Sequence, residues 1–174
     1  MNKKGLILIY TGNGKGKTTA AFGQAMRAAG NGLKVCIIQF IKGKWRTGES
    51  RAVDFFGDRI ELYTTGTGFT WEAENRQQVI DAVRKGWDLA VDKIRSDSFD
   101  MIILDEITYP ILYGILSASE VLSELTARPK KLHIILTGRD AGEELIAAAD
   151  LVTEMREIKH HYTEGIKAGK GIEY

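Results

Sequence analysis

The residues with the clearest chemistry lie in a glycine-rich segment at positions 11–30, TGNGKGKTTAAFGQAMRAAG. Its alternating glycines permit backbone conformations that turn successive N–H groups toward one anion, and the expected helix adds its positive N-terminal end. Lys17 adds a mobile positive charge, and Thr18 adds a hydroxyl group suited to Mg²⁺. A glycine-rich turn without a ligand is the structural alternative, but the pattern favours a phosphate-binding loop. The glycines are Gly12, Gly14 and Gly16.

This loop departs from the usual pattern, G-x-x-x-x-G-K-[S/T], at its first position. Thr11 stands where that pattern has glycine. Lys15 lies between two of the remaining glycines, and both phosphate contact and simple solvation fit a lysine in an exposed loop. We expect the loop to bind phosphate and leave these two interpretations of Lys15 open.

A second group of polar residues follows a buried strand in the run MIILDE. Asp105 and Glu106 come where this strand emerges, and open α/β sheets bind ligands at the carboxyl ends of their strands. We expect Asp105 to hold Mg²⁺ directly or through water. Glu106 would activate water in a motor ATPase, whereas in a transferase it would orient the nucleotide or the metal.

Six short apolar runs predict the strands that must position these residues. Several runs are continuous rather than alternating, which is typical of strands covered by helices on both faces. Helical segments separate them, which indicates an α/β fold with an open, doubly wound, mostly parallel sheet in a single domain over 1–174. The runs cover 5–10, 34–40, 59–65, 100–106, 131–138 and 151–158.

Two of the intervening segments carry specific helix signals. One has an apolar stripe that recurs every three or four residues and predicts an amphipathic helix. In the other, Ser117 and Glu120 have the spacing of a capping box, which predicts a helix start just before Val121. The stripe consists of Val79, Val83, Trp87, Val91 and Ile94.

Composition limits the classes of function. Of the 174 residues, 44% are apolar and 27% charged, which excludes a disordered or collagen-like chain. A net charge of +1 provides no global field for a polyanion, so we expect no nucleic-acid partner. The single cysteine, Cys36, lies in an apolar run and predicts a buried thiol in the cytosol. No apolar run has the length of a membrane span, and we expect no membrane contact.

Six ordered motifs resemble the P-loop-type ATP:corrinoid (cob(I)alamin) adenosyltransferases, which have a recombinase-like P-loop NTPase fold. The resemblance covers nearly the whole chain and includes the threonine at position 11. It implies transfer of the 5′-deoxyadenosyl group of ATP to the cobalt(I) of a corrinoid, with release of inorganic triphosphate from a nucleotide bound in reverse orientation. The motifs are GNGKGKTTAA (12–21), QFIKG (39–43), GTGFTWE (66–72), LDEITY (104–109), LTGR (136–139) and KHHYTEGIKAGKGIEY (159–174).

The resemblance also implies roles for individual residues. Asn13, Thr18 and Glu106 would lie near the metal or the ribose, and Arg27 and Arg139 near the nucleotide. Lys17 would stabilise the charge of the leaving triphosphate. The predicted nucleotide-binding residues are Gly12, Asn13, Gly14, Lys15, Gly16, Lys17, Thr18, Thr19, Arg27, Glu106 and Arg139, and the predicted Mg²⁺ ligands are Thr18, Asp105 and Glu106.

Phe69 and Trp71 lie in the stretch GTGFTWE, which has little helical or strand patterning. Taken alone, they would anchor a surface loop to the core. With the resemblance, they match the aromatic pair that displaces the lower axial ligand of the corrinoid, which makes cobalt(II) easier to reduce. Together with Lys17 they are the predicted catalytic residues.

Two further segments have open interpretations. The basic segment 41–50 forms either a mobile flap over the corrinoid or a solvated loop. The adjacent His160 and His161 point in different directions without partner ligands nearby, which disfavours a transition-metal site. The flap residues are Lys42, Lys44, Trp45 and Arg46.

Two other functions compete with adenosyl transfer. One is a nucleotide-driven DNA-binding or assembly module of recombinase type, with Glu106 as hydrolytic base, and the other is a small P-loop kinase. The products differ. Adenosyl transfer releases triphosphate, the recombinase-type module would release ADP and phosphate, and the kinase would give ADP with a phosphorylated acceptor. The resemblance also implies a homodimer and an electron donor such as a reduced flavoprotein.

Overall fold

One parallel sheet of six strands forms the centre of the described part of the protein, which covers residues 4–43, 47–66, 68 and 76–172 of this computed structural model. Every neighbouring pair of strands is parallel. The strands are β1 (Ile7–Thr11), β2 (Val35–Gln39), β3 (Ile60–Thr64), β4 (Met101–Asp105), β5 (His133–Thr137) and β6 (Leu151–Glu154). Their order across the sheet is β3-β2-β4-β5-β1-β6, so the predicted six-stranded, mostly parallel sheet is confirmed.

Helices follow most of the strands. None of those in the described ranges combines the length and apolar character needed to cross a bilayer. The α-helices are α1 (Lys17–Gly30), α2 (Gly48–Val53), α3 (Arg76–Arg95), α4 (Thr108–Leu112), α5 (Ala118–Ala127) and α6 (Glu143–Ala148), and short 3-10 helices cover Asp54–Arg59 and His161–Glu164. The extent of the domain over 1–174 stays a prediction.

The helices cover both faces of the sheet, which confirms the doubly wound arrangement. Phe22 of α1 belongs to a core on one face, together with Ile103 of β4. Trp87 of α3 belongs to the core on the other face, together with Ile102 of the same strand. Because successive strand residues point to opposite faces, a strand covered on both sides must be apolar throughout. This explains the continuous apolar runs in the sequence.

The sixth strand differs from the others in its burial. All four residues of β6 are exposed, and within the part of the chain that the structure describes this strand pairs with β1 alone. By contrast, β2 is buried throughout, and burial raises the pKa of the Cys36 thiol in it to about 12. The predicted run 151–158 stops being a strand at Glu154, after which Met155 hydrogen-bonds to the loop that follows β1.

The predicted helix signals are found, with one difference at the capping box. The stripe of α3 is buried at four of its five positions. Helix α5 begins directly after Ser117, whose Oγ accepts a hydrogen bond from the Glu120 N–H at 3.0 Å. The Glu120 carboxylate accepts from Arg84 of α3 instead of returning to the cap, at 2.9 and 3.0 Å. Glu120 therefore links two helices as well as starting one.

The strand order determines where the polar residues meet. Since all strands are parallel, their carboxyl ends lie along one edge of the sheet. The neighbouring strands β4, β5 and β1 end there at Asp105, Thr137 and Thr11. The sheet thus brings the phosphate loop and the acidic strand end to the same edge.

Two helical glycines provide a test of packing at this edge. A Cβ on Gly86 of α3 would lie 2.4 Å from Thr65 Oγ1, whose hydroxyl donates to the Gln39 carbonyl. We expect Gly86→Ala to lower the free energy of unfolding by about 1 kcal/mol or more, because Thr65 must move. Gly23 of α1 has open space around its Cβ position, so Gly23→Ala should raise the same quantity by about 0.5–1 kcal/mol. Urea denaturation measures both, and changes of equal sign would contradict the packing argument.

Candidate active site

The phosphate loop connects the buried end of β1 to the start of α1. Gly16 occupies the N-cap position with a left-handed backbone (φ 104°), which a residue with a side chain would adopt only with strain. Glycine also provides no capping side chain, so the N–H groups of the first turn of α1 are left for an anion. The first turn contains no acidic residue that would repel one.

Lys17 extends across the loop. Its Nζ donates hydrogen bonds to the carbonyl oxygens of Gly12 and Gly14, each at 2.7 Å. Burial lowers the pKa of this ammonium group, and the nearby guanidinium of Arg139 lowers it further. The charge of Lys17 therefore lies near Arg139 as well as near the carboxylates of Glu106 and Asp140, and a bound anion would offset the cost of its burial and the repulsion from Arg139.

Asp105 is fully buried and makes the central polar contacts of the site. Its Oδ1 accepts hydrogen bonds from Thr18 at 2.9 Å and from Thr137 at 2.7 Å, and its Oδ2 accepts from Gln39 at 2.9 Å. Four elements are joined in this way, since these donors come from α1, β5 and β2. The carboxylate reaches the phosphate loop through the Thr18 hydroxyl group.

Glu106 follows directly in a strained position. Its φ of 64° is left-handed, and its N–H donates to Thr137 Oγ1 at 2.8 Å. Burial and the neighbouring Asp105 raise the pKa of Glu106 to about 7, against the opposing effect of Lys42, Lys17 and Arg139. Lys42, which the sequence assigned to either a flap or a solvated loop, thus lies close enough to act on Glu106.

Arg139 lies in the turn after β5, and a tight contact sets the path of that turn. Gly138 has φ 143°, and a Cβ there would lie 1.9 Å from Thr108 Oγ1. Among the described residues, this Thr108 hydroxyl is the one buried side-chain polar atom without a hydrogen-bond partner. Glycine at 138 therefore allows the turn to pass Thr108 and present Arg139 beside Lys17.

The segment after β6 packs on the phosphate loop, and no sequence pattern indicated this contact. Met155 N–H donates to the Thr11 carbonyl at 2.8 Å, and the Met155 carbonyl accepts from the Gly14 N–H at 2.7 Å. A Cβ on Gly12 would lie 2.4 Å from that Met155 oxygen, and one on Gly14 would lie 2.7 Å from the carbonyl carbon of Arg156. These glycines, predicted to bind an anion, thus also allow close packing of the chain after β6.

The remaining predicted site residues lie at different distances from the phosphate loop. Asn13 lines a cleft with Arg139, and Lys15 and Thr19 are exposed beside the loop. Arg27 lies in the last turn of α1, about 15 Å along the helix axis from Lys17, and donates to Gln24. The structure does not bring Arg27 to the loop within this chain. The predicted residues Phe69, Trp71, Lys44, Trp45 and Arg46 lie outside the described residues.

Sequence reasoning missed Gln39 and Thr137, which hold Asp105. The signal was available, because both are polar residues that end an apolar strand, as Asp105 does. The rule that points to the carboxyl ends of strands applies to all three. Only the strand order shows that β2 and β5 flank β4 and bring these ends within hydrogen-bond distance.

The oxygen donors around Thr18 are compatible with Mg²⁺. Within the described ranges, no group of three His, Cys, Asp or Glu side chains is arranged to hold a metal ion. Mg²⁺ characteristically uses one or two carboxylates together with substrate phosphates instead of an all-protein cage. Thr18, Asp105 and Glu106 fit that pattern. His160 accepts a hydrogen bond from the Tyr162 N–H and stacks on His161 at 4.7 Å.

The fold and the loop define a P-loop nucleotide-binding protein of recombinase-like type. The flagellar accessory protein FlaH from Methanocaldococcus jannaschii superposes with a TM-score of 0.57 at 16% identity, over 87% of this chain and 71% of that one. The RadB recombinase gives a TM-score of 0.52 at 17% identity, over 91% and 77%. At these identities the similarity concerns the fold alone, and it confirms the predicted fold class.

The sequence defines the family more narrowly. The chain belongs to the family described as ATP:corrinoid adenosyltransferase BtuR/CobO/CobP, whose model matches residues 3–174. A corrinoid adenosyltransferase of Escherichia coli (strain K12) is 43% identical over 173 residues, which are 99% of this chain and 87% of that protein. The predicted family and enzyme class are confirmed, and ATP and a corrinoid are the substrates that follow. Membership also decides against the kinase and the recombinase-type module.

The pKa of Glu106 predicts a pH-dependent stability. Between about pH 4.5 and 7 the folded state binds more protons at Glu106 than the unfolded state does, so its contribution to the free energy of unfolding falls as pH rises. Glu106→Gln removes this dependence. The stability of the variant relative to the wild type should therefore rise by roughly 3 kcal/mol from pH 4.5 to pH 8.

Urea denaturation at several pH values, without divalent cations, measures this difference. Glu144→Gln is the matched control, because Glu144 is an exposed glutamate of α6. Its pH profile should run parallel to that of the wild type. A parallel profile for Glu106→Gln would contradict the placement of Glu106 in a low-dielectric site.

Proposed function

We propose that this site holds the triphosphate of ATP as one leaving group and presents the ribose 5′ carbon to the cobalt(I) of a corrinoid. The cobalt electron pair forms the bond to the 5′ carbon, and the carbon–oxygen bond breaks with its electrons going to the triphosphate. Cobalt is thereby oxidised from the +1 to the +3 state. The family match over residues 3–174, together with the complete phosphate loop, carries this proposal.

The protein's main contribution is to stabilise the negative charge of the departing triphosphate. Lys17 is the first residue of α1 and its Nζ lies on the phosphate loop, so Lys17 and the N–H groups at the start of α1 would act on that charge together. Thr18, Asp105 and Glu106 are the residues that would hold Mg²⁺ there. A bound Mg²⁺ would supply further neutralisation of phosphate charge. Lys17, the start of α1 and a bound Mg²⁺ would together offset the charge of the leaving group.

No proton has to be removed from the cobalt nucleophile, so the chemistry needs no general base. General acid–base help contributes roughly 10²- to 10⁴-fold, whereas alignment of two reactants contributes on the order of 7–11 kcal/mol. Glu106, with its pKa raised to about 7 by burial and Asp105, then serves to orient metal or nucleotide. Positioning of the two substrates therefore accelerates this reaction more than proton transfer would.

The corrinoid would approach from the side of β2. Gly68 is anchored at the site edge of the sheet, since its N–H donates to the Ile41 carbonyl at 3.1 Å. Gly66 packs even closer, because a Cβ there would lie 2.4 Å from the Ile41 backbone. We assign the two aromatic residues Phe69 and Trp71 to displacement of the lower axial ligand.

Four further parts of the proposal concern the protein's surroundings. They are bound Mg²⁺, a reduced flavoprotein or similar electron donor, a homodimer, and a cytosolic location. The exposed apolar residues of the C-terminal segment support self-association, because Ile158 is 85% exposed and Tyr162 72% exposed. The buried, protonated thiol of Cys36 fits a reducing compartment.

Product identity tests the proposed reaction. Incubation with ATP, Mg²⁺ and chemically reduced cobalamin should give a light-sensitive alkylcobalt spectrum and intact tripolyphosphate. Lys17→Ala should lower turnover at limiting ATP at least tenfold, because it removes charge-assisted contacts worth roughly 1.5–3 kcal/mol. Lys85→Ala, on the exposed side of α3, is the control and should keep wild-type turnover. Formation of ADP, or wild-type turnover by the Lys17 variant, would overturn the proposal.

The aromatic pair is tested by the oxidation state of the substrate. Phe69→Ala and Trp71→Ala should reduce turnover from cobalt(II) plus reductant much more than turnover from cobalt(I) prepared beforehand. The reason is that ligand displacement assists the reduction step and has no part in the subsequent attack. Both rates are measured by the absorbance of the alkylcobalt product. Equal losses in the two assays would contradict this assignment.

A further inference from the structure

A polar cleft of about 450 Å³ opens next to the phosphate loop. Its volume lies within the range of roughly 300–1,000 Å³ typical of small-molecule sites. Three neighbouring strands contribute to it, because Asn13 follows β1, Arg139 follows β5 and Arg156 follows β6. The carboxylates of Glu154 and Glu157 also line the cleft. Arg156 and these two glutamates have so far been given no role.

The backbone contact after β6 positions Arg156. Met155 is held to the loop through both its N–H and its carbonyl group, at 2.8 and 2.7 Å. These hydrogen bonds fix the position of the Arg156 backbone relative to Gly14. The Arg156 side chain therefore begins beside the loop. The cleft and the phosphate loop are thus parts of one rigid arrangement.

The electrostatics of the cleft favour an anion that extends from the loop. Burial lowers the pKa of Lys17 most, and repulsion from the nearby Arg139 lowers it further, against the opposing effect of Glu106 and Asp140. An anion held by Lys17 would relieve this repulsion and lie within the influence of Arg139. Arg156 lines the cleft with Arg139, and in the described part of the chain it forms no ion pair with Glu154 or Glu157. Its guanidinium group can therefore bind a ligand.

We propose that Arg156, together with Arg139 and Asn13, forms a second phosphate-binding subsite that holds the outer end of the triphosphate. This inference rests on the proposed function and adds a residue to it. The planar guanidinium fork matches phosphate oxygens in a bidentate manner. The carboxylates Asp105 and Glu106 lie at the end of β4, two strands from β1, whereas Arg156 follows β6 directly beside β1, so the two ends of a bound triphosphate meet different side chains.

The two glutamates separate this assignment from binding of the nucleoside in the same cleft. Carboxylates repel phosphate, whereas they accept hydrogen bonds from ribose hydroxyl groups. If the cleft holds phosphate, then Glu157→Gln leaves phosphate binding unchanged or strengthens it. If it holds the ribose, the same substitution weakens the binding of adenosine.

Isothermal titration with inorganic tripolyphosphate and Mg²⁺ tests the subsite without turnover. Arg156→Gln should raise the dissociation constant about tenfold or more, since a hydrogen-bonded ionic contact is lost. Arg156→Lys should recover only part of the affinity, because it keeps the charge without the fork. Arg59→Gln makes the same charge change at the start of β3, at the opposite edge of the sheet, and should bind like the wild type. Urea midpoints confirm that each variant is folded.

The outcomes distinguish this inference from the proposed function. If the wild type binds tripolyphosphate and Arg156→Gln binds it equally well, the subsite is wrong and the reaction still stands. If Arg156→Gln and Glu157→Gln weaken adenosine instead, the cleft holds the nucleoside and the inference is overturned. If the wild type binds no tripolyphosphate, the triphosphate cradle itself fails, and the proposed function fails with it.

Discussion

The buried carboxylate of Asp105 is the interaction on which the site depends. A fully buried carboxylate is costly unless hydrogen bonds compensate for the lost water, and Asp105 has three such bonds, from Thr18, Thr137 and Gln39. Meeting this requirement fixes the start of α1 relative to three strands. The phosphate loop is therefore positioned by the solvation demand of one side chain as well as by its own glycines.

The glycines of the loop allow close packing of the chain after β6 as well as the backbone conformation of a phosphate loop. Gly12 and Gly14 allow the chain after β6 to approach so closely that a Cβ at either position would collide with backbone atoms of Met155 or Arg156. The Gly14 N–H is bonded to Met155 and is engaged within the protein. In the proposed function, anion binding would therefore fall mainly to Lys17 and to the start of α1, next to the segment that follows the last strand.

Charge around the loop is distributed unevenly. On the β4 side, Asp105 and Glu106 place two carboxyl groups together, and their proximity and burial raise the pKa of Glu106 to about 7. Arg139 follows β5, which lies between β4 and β1, and Arg156 follows β6 on the other side of β1, beside the exposed glutamates. This asymmetry would act differently on the highly charged triphosphate and on the uncharged nucleoside end of a bound nucleotide. The proposed orientation of the nucleotide would therefore depend on the charges around the loop as well as on the loop itself.

The amino-acid sequence by itself determined the six strands, the phosphate loop and the acidic strand end. These depend on local periodicity, on backbone freedom and on residues close together in the chain. It did not indicate that Gln39 and Thr137 hold Asp105, that Met155 docks on Gly14, or that Arg27 lies a helix length from Lys17. Those contacts join residues far apart in the chain. The order in which parallel strands pair and the length of α1 decided them, because only the assembled sheet brings the strand ends to one edge.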